Sequence, residues 1–148
     1  PSPAYALNAG QPVPDVTFQT PDGHMHRLSD YRGKLLFLDV WGTWCGVCIH
    51  DLPNVKAIHD TFAANPHFAM LSLSAGDTPQ VWQQFLHQHD LPWTQACLGP
   101  FDQAWQTKVL CVNGYPTYLL ISPDGTLLAE GFQSTLLPPV IKTNLEKK

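Results

Sequence analysis

The sequence carries little charge and contains no long apolar run. Charged residues make up 14% of its 148 residues, and eight basic against twelve acidic side chains leave a formal net charge of −4. Because no segment is rich in lysine or arginine, the sequence predicts no nucleic acid and no anionic membrane surface as a partner. It also predicts no membrane span in this chain, since Asp39, Pro116 or Pro123 interrupts each run that approaches the required length of about 18 apolar residues.

The sequence also contains no repeat and no low-complexity tract. The chain starts at Pro1 without a basic segment that leads into an apolar one, so we expect a mature or trimmed form. Residues 1–11 show no hydrophobic period, and we interpret them as a tail or linker. A composition that is 44% hydrophobic is sufficient for one core, so residues 12–148 are predicted to form a single domain.

Segments with the periods of strands and helices alternate along this domain. Alternating apolar and polar residues on both sides of a turn at 21–23 predict an N-terminal β-hairpin, and the apolar run at 35–40 predicts a central strand covered on both faces. Strands that alternate with helices indicate an α/β fold with a mixed sheet. The predicted strands are 13–20, 24–28, 35–40, 67–74, 94–98, 117–122 and 126–131, and the predicted helices are 46–63, one that Thr78 caps, 101–108 and 135–146.

Two cysteines separated by two residues follow the central strand, where a helix is predicted to begin. Attack on a disulfide requires a thiolate, and a free thiol with a pKa of about 8.5 is mostly protonated at neutral pH. A helix that starts just after Cys45 would favour the anion through its unpaired N–H groups and the positive end of its dipole. Cys48 lies one turn further along, so its sulfur can attack the mixed disulfide that Cys45 forms. This pattern predicts a thiol–disulfide oxidoreductase.

A cysteine pair with this spacing also serves as half of a zinc site, which needs four nitrogen or sulfur ligands. The sequence contains no second pair, because Cys97 and Cys111 are too far apart and no two histidines downstream have the required spacing. We therefore predict no metal and no cofactor. A zinc half-site and a purely structural Cys45–Cys48 disulfide are the alternatives that the residues leave open.

Two further motifs extend this pattern. Trp41–Cys48 together with Asp51-Leu52-Pro53 resembles the active-site signature of the thioredoxin superfamily, in particular its extracytoplasmic branch of the TlpA, ResA and DsbE type. Gly-Tyr-Pro-Thr at 114–117 resembles the cis-proline loop of that branch, and the early hairpin resembles its N-terminal extension. The likeness spans about residues 10–146. It implies a thioredoxin-like fold, with a central mixed sheet flanked by helices and preceded by a β-hairpin.

The resemblance also implies roles for individual residues. Cys45 would be the attacking cysteine and Cys48 the resolving one, with Pro116 as a cis-proline that faces them. The backbone of Tyr115 would pair with an extended substrate strand. Trp44, next to Cys45, is expected to pack around the site and to contact partners. From the residues alone, an ordinary trans proline before a strand is the simpler interpretation of Pro116.

Two acidic residues belong to the same prediction. Asp39 interrupts the apolar central strand and matches the buried acid of thioredoxins, which moves protons for the resolving cysteine. Burial should raise its pKa toward neutrality. Asp51 stands where the branch usually has glutamate, and its shorter side chain leaves the reach of the carboxylate open. The alternatives are a strand-end carboxylate in water for Asp39 and a solvated helix face for Asp51.

Cys97 and Cys111 lie outside this signature and are a candidate second disulfide. They flank the predicted short helix, and Cys111 lies five residues before Pro116. A disulfide that closes this loop would stabilise the fold by about 3 kcal/mol and would favour an oxidising, extracytoplasmic location. Two unpaired buried thiols, or a redox relay to the Cys45–Cys48 pair, are the alternatives.

The predicted function is exchange of the Cys45–Cys48 dithiol or disulfide with cysteines of partner proteins, with a redox donor or acceptor protein as the second partner. By family analogy we expect a periplasmic or secreted location, an anchor outside this chain, and work in the maturation of cytochrome or other envelope proteins. Val47 replaces the proline that is common before the resolving cysteine, so the direction of electron transfer stays open. The alternatives are a peroxiredoxin-like thiol peroxidase, whose Pro-x3-Thr-x2-Cys setting is missing, and a binding or scaffold module without turnover.

Overall fold

Strand β3 (Leu35–Trp41) is the centre of the sheet. In the computed structural model, which describes residues 7–147, all seven residues of β3 are buried because hydrophobic clusters cover both of its faces. It pairs in parallel with β4 (Phe68–Ala75) and antiparallel with β6 (Thr117–Ile121). The apolar run at 35–40 therefore forms the predicted central strand, which Trp41 extends at its carboxyl end.

The sheet around β3 has five strands and is mixed. The remaining strands and α-helices that the structure describes are β1 (Thr17–Gln19), β2 (Met25–Arg27), β5 (Thr94–Gly99), β7 (Leu127–Gly131), α1 (Gly46–Phe62), α2 (Pro79–Gln88), α3 (Trp105–Val109) and α4 (Pro138–Glu146). The strand order is β5-β4-β3-β6-β7, in which β3, β4 and β5 are parallel and β6 is antiparallel to both of its neighbours. The predicted α/β class with a mixed sheet is confirmed.

Alternate residues of β3 face two different hydrophobic clusters. Leu38 packs in one cluster with Phe18 of the N-terminal hairpin. Phe37 packs in the other cluster, which contains Ile58 of α1. Since successive side chains of a strand point to opposite faces of the sheet, Asp39 follows Phe37 toward the α1 side.

The N-terminal hairpin forms where it is predicted, although its strands are shorter. β1 pairs antiparallel with β2. The preceding residues lie along β7, because the Gly10 N–H donates to the Leu127 carbonyl at 2.8 Å and the Leu127 N–H donates to the Gln11 carbonyl at 2.9 Å. Residues 1–6 of the predicted tail lie outside the described residues, so the domain boundary after residue 11 stays a prediction.

Two helices differ from their predicted extents. The helix predicted at 101–108 begins only at Trp105, because Ala104 has a φ of −87° and a ψ of 59°, outside the helical region. The helix predicted at 135–146 is divided into a 3-10 turn, Ser134–Leu136, and α4. Its division has a physical reason, since prolines without an N–H are favoured only in the first turn of a helix, and α4 begins with Pro138.

Helix α2 begins where the sequence places its cap. The Thr78 hydroxyl accepts a hydrogen bond from the Val81 N–H at 3.3 Å, and Pro79 occupies the first turn. This start matters for the site, because α2 carries Trp82, which packs against Trp41 at the end of β3.

Replacing Thr78 with alanine should lower the free energy of unfolding by about 1 kcal/mol, because the Val81 N–H loses its acceptor. Urea denaturation followed by circular dichroism measures this change. Thr61→Ala is the matched control, since the Thr61 hydroxyl donates to the Ala57 carbonyl inside α1 and alanine has the higher helix propensity. Equal losses in the two variants would contradict the capping role of Thr78.

Candidate active site

Cys45 lies at the junction between β3 and α1. It is the N-cap residue of the helix, and its sulfur accepts a hydrogen bond from the Cys48 N–H at 3.1 Å. The helix therefore begins directly after Cys45, as the sequence predicts. The free N–H groups and the positive end of the helix dipole meet at this sulfur, which favours its thiolate form once the cysteine is reduced.

The sulfurs of Cys45 and Cys48 are joined in a disulfide. The two Cα atoms are 5.2 Å apart, which is within the ordinary range for a disulfide. Cys45 is 6% exposed and Cys48 is 2% exposed, so Cys45 offers the more accessible of the two sulfurs. Both pack with Trp41 and Trp82 in a small apolar cluster. The fold therefore places the second sulfur within bonding reach of the first.

A buried carboxylate holds the loop between β3 and Cys45. Asp77 is 3% exposed and accepts hydrogen bonds from the Thr43 N–H at 2.9 Å, the Thr43 hydroxyl at 2.6 Å and the Ser74 hydroxyl at 2.5 Å. These bonds tie the loop to the end of β4, 34 residues away. Sequence reasoning uses Asp77 only as part of a helix start. The signal that could have found it is a carboxylate directly after a buried parallel strand, where binding residues collect.

The Trp44 indole occupies a slot between two glycines. Its Nε1–H donates to the Ala75 carbonyl at 2.8 Å. A Cβ atom at Gly42 would lie 2.1 Å from Nε1 and a Cβ atom at Gly76 would lie 2.6 Å from it, so both positions require glycine. Trp44 as a residue is 48% exposed next to Cys45, where the sequence predicts a partner contact.

The loop before β6 contains the cis-proline that the resemblance implies. The Tyr115–Pro116 peptide bond is cis, and the Thr117 hydroxyl donates to the Gly114 carbonyl at 2.7 Å. The ring centroid of Tyr115 lies 5.2 Å from that of Trp44, and Tyr115 packs against the cluster that contains both cysteines. The fold thus brings two distant segments of the chain together at the disulfide.

Asp39 is buried inside the sheet, with 2% of its surface exposed. The Ser72 hydroxyl donates to its Oδ2 at 3.0 Å, whereas Oδ1 has no hydrogen-bond partner among residues 7–147. Burial raises the pKa of Asp39 to about 7, the Ser72 hydrogen bond opposes this rise, and the negative charge of Asp51 adds to it. The alternative of a strand-end carboxylate in water is therefore wrong.

Asp51 lies in the first half of α1 and makes three hydrogen bonds. Its carboxylate accepts from the Tyr118 hydroxyl at 2.6 Å, the Asn54 side-chain amide at 2.8 Å and the Ser134 N–H at 3.2 Å. Burial by itself raises the pKa of Asp51, but the hydrogen bonds outweigh burial and hold this pKa below its usual range. The carboxylate is thus ionised at neutral pH and is tied to β6, which is not the environment of a solvated helix face.

The predicted disulfide between Cys97 and Cys111 is wrong, because both thiols are free. Cys97 packs against the apolar cluster beneath α2, and its sulfur lies 3.6 Å from the Asp77 carbonyl. Cys111 follows Leu110, which belongs to the hydrophobic cluster on the opposite face of the sheet, and its sulfur lies 3.9 Å from the Val109 carbonyl. Two cysteines can pair only if their side chains point toward each other, and closeness in sequence to the cis-proline loop did not ensure this for Cys97 and Cys111.

The zinc alternative finds no support in the arrangement of ligands. Among the residues that the structure describes, no three His, Cys, Asp or Glu side chains lie close enough together to hold a metal ion. Cys45 and Cys48 are bonded to each other. A half-site without further ligands could not complete the four-coordinate shell that zinc prefers.

The comparison with known proteins agrees with this geometry. Residues 9–129 match the model of the family described as AhpC/TSA. The chain belongs to the AhpC/TSA family. This AhpC/TSA chain is 42% identical over 125 residues to the thiol-disulfide oxidoreductase ResA of Geobacillus kaustophilus. The aligned region covers 81% of this chain and 67% of that relative. The chain is 28% identical over 144 residues to the thiol-disulfide oxidoreductase ResA of Geobacillus thermodenitrificans, and this aligned region covers 95% of the chain and 78% of that relative.

Solved structures share the fold of this AhpC/TSA chain. A protein described as thiol:disulfide interchange protein DsbE from Chlorobium tepidum has a TM-score of 0.83 and 27% identity, over 95% of this chain and 99% of that one. The C-terminal domain of a thiol-disulfide oxidoreductase from Bacteroides thetaiotaomicron has a TM-score of 0.86 over 95% of this chain and 98% of that one. Its sequence identity is 21%, so this likeness shows the fold alone. The thioredoxin-like fold and the likeness to the ResA and DsbE group are confirmed.

Asp39→Asn should stabilise this AhpC/TSA chain at neutral and alkaline pH. The folded protein holds the Asp39 proton up to a pH of about 7, whereas the unfolded chain releases it near the ordinary pKa of 3.8. Between these two pKa values the folded state binds more protons than the unfolded state. The free energy of unfolding therefore falls as pH rises from the unfolded-state pKa of Asp39 to its folded-state pKa. The whole change is about 4 kcal/mol at most, and it is complete above the folded-state pKa.

Urea denaturation of the wild type and Asp39→Asn between about pH 4 and pH 9 measures this effect as a difference curve. The stability difference should grow up to a pH of about 7 and then level off. Asp90→Asn, which removes an exposed carboxylate after α2, controls for the loss of one charge. Parallel curves for the wild type and Asp39→Asn would show that Asp39 is not the titrating group.

Proposed function

We propose that the chain is a thiol–disulfide oxidoreductase that exchanges its Cys45–Cys48 dithiol or disulfide with cysteines of partner proteins. The observation that carries the proposal is the Cys45 sulfur at the start of α1, bonded to Cys48. The 42% identity to a ResA thiol-disulfide oxidoreductase supports the same activity. The cis-proline loop beside the pair adds a surface on which a partner can be held.

In the reducing direction, the Cys45 thiolate attacks one sulfur of a partner disulfide. A bond forms between Cys45 and the partner, and the other partner sulfur leaves as a thiolate. Cys48 loses its proton and attacks the Cys45 sulfur, so the Cys45–Cys48 disulfide forms and the second partner sulfur leaves. Two electrons pass from the dithiol to the partner, whose thiolates take up protons. Oxidation of a partner dithiol is the reverse sequence.

In this proposal Asp39 accepts the proton that Cys48 loses. A carboxyl with a pKa of about 7 is partly ionised at neutral pH, which suits a group that takes and returns a proton. Its Oδ1 is free to accept, since it has no partner among residues 7–147. Asp51 is a positioning residue that acts through Asp39, because its negative charge raises the pKa of that carboxyl.

The partner would lie across the cis-proline loop. An extended segment can pair with the backbone of Tyr115 beside Pro116, in the manner of a strand added to an edge. Trp44 is about half exposed and packs edge to face against the Tyr115 ring, so it would contact the same segment. This arrangement would present a partner sulfur to the accessible edge of Cys45.

The location and the biological partners follow from the resemblance to the ResA and DsbE group. That resemblance supports a periplasmic or secreted protein that works with a second redox protein in cytochrome c maturation. Because Cys97 and Cys111 are free, no second disulfide adds to the argument for an oxidising compartment. Within residues 7–147, no helix has both the length and the apolar character needed to cross a bilayer.

Cys45→Ser should abolish reduction of insulin disulfides in the presence of dithiothreitol, because the attacking sulfur is lost. Cys48→Ser should stop after the first step and accumulate a mixed disulfide with the partner, which intact-mass spectrometry detects. Cys111→Ser changes a free thiol outside the pair and should keep the wild-type rate.

The same assays separate the alternative functions. A wild-type protein that does not reduce insulin would favour a binding or scaffold module. Rapid consumption of hydrogen peroxide without insulin reduction would favour a thiol peroxidase.

Asp39→Asn should slow the release of the partner from the mixed disulfide about 100-fold at neutral pH, because Cys48 loses its proton acceptor. In the wild type this rate should rise with pH through a midpoint of about 7. Ser72→Ala removes a hydrogen bond that lowers the pKa of Asp39, so the midpoint should move to higher pH. Single-turnover fluorescence measures both profiles. A midpoint that neither variant moves would exclude Asp39 as the acceptor.

A further inference from the structure

Three aromatic rings form a closed triangle next to the disulfide. The ring centroids of Trp44 and Phe101 are 5.3 Å apart, those of Trp44 and Tyr115 are 5.2 Å apart, and those of Phe101 and Tyr115 are 5.8 Å apart. Each pair meets edge to face, an arrangement that aromatic rings prefer. The rings come from the loop before Cys45, the loop after β5 and the cis-proline loop, so the triangle joins three segments.

The triangle exposes apolar surface although its rings are firmly packed. Phe101 is 53% exposed and Trp44 is 48% exposed. A Cβ atom at Gly76 would lie 2.6 Å from Phe101 Cε2 and 2.6 Å from Trp44 Nε1, so both rings rest against the backbone of Gly76. Exposed aromatic side chains that are held in a fixed position are typical of surfaces that bind partner proteins.

The residues that lead up to these rings carry no charge, and the nearest charged residue in the sequence is Asp102, next to Phe101. Residues 40–49, 91–101 and 109–123 contain no Asp, Glu, Lys or Arg. A charged side chain of a partner would lose water here without gaining an opposite charge from these segments. An aliphatic or aromatic side chain would instead gain from leaving water. The surface is therefore complementary to an apolar residue.

We propose that Phe101, with Trp44 and Tyr115, binds an aliphatic or aromatic side chain next to the reacting cysteine of an extended partner segment. Phe101 is then a specificity-determining residue, and sequence patterns did not single it out. The inference rests on the proposed function, because it assigns the partner chemistry of the Cys45–Cys48 site. It holds for either direction of electron transfer, since the same segment is presented as a thiol or as a disulfide.

Single-turnover reduction of disulfide-linked peptides tests this inference. The peptides share one sequence and differ only in the residue after the cysteine, which is Leu, Phe, Ser, Glu or Lys. The fully reduced wild-type protein should react with the Leu and Phe peptides about tenfold faster than with the Ser and Glu peptides. Phe101→Ala should lower this ratio to about twofold, and Phe101→Trp, which keeps an aromatic ring, should preserve it.

Met25→Ala is the matched control, because it removes an exposed apolar side chain of β2 and should leave the ratio unchanged. A wild-type protein with no preference, or one that prefers the Lys peptide through the neighbouring Asp102, would overturn the inference and leave the proposed function intact. So would equal slowing of all peptides and of oxidised glutathione in Phe101→Ala, since Phe101 would then act on the reactivity of Cys45. A wild-type protein that reduces none of these disulfides would contradict the proposed function and the inference with it.

Discussion

The hydrogen bond from the Cys48 N–H to the Cys45 sulfur joins the fold to the chemistry. It forms because a short loop after the buried strand β3 places Cys45 at the N-cap of α1, where the helix supplies the donor. One interaction therefore caps the helix and favours the thiolate. The surrounding structure holds this junction in place, through the hydrogen bonds of Asp77 to the preceding loop and through the cis-proline loop beside it.

Two carboxylates near the junction differ in charge because they differ in hydrogen-bond partners. Asp39 is buried and has one hydrogen-bond donor within residues 7–147, the Ser72 hydroxyl, and burial raises its pKa to about 7. Asp51 receives hydrogen bonds from three residues, which hold its pKa below the usual range despite partial burial. The negative charge of Asp51, which is ionised at neutral pH, raises the pKa of Asp39, which titrates near neutrality. A site in which one acid stays ionised and a second acid titrates near neutrality can move a proton at neutral pH.

The parts of the site that local patterns predict are those whose signals lie within a few residues. The Cys45–Cys48 pair, the buried strand before it and the Thr78 cap are all encoded by neighbouring side chains. Asp39 stands out locally because it interrupts an apolar run, but that pattern leaves a buried acid and a strand-end acid open, and the resemblance to thioredoxins was needed to choose between them. Pro116 needed the resemblance to a family, since no local pattern distinguishes a cis proline from a trans one.

The sequence by itself determined the order of strands and helices, the redox pair and its place at a helix start. Only the tertiary structure decided which distant side chains meet there: Asp77 with Thr43, Phe101 with Trp44 and Tyr115. It also decided that Cys97 and Cys111 do not pair. The physical reason is that a strand sends alternate side chains to opposite faces, and the packing of helices on those faces, rather than distance along the chain, determines which groups come into contact.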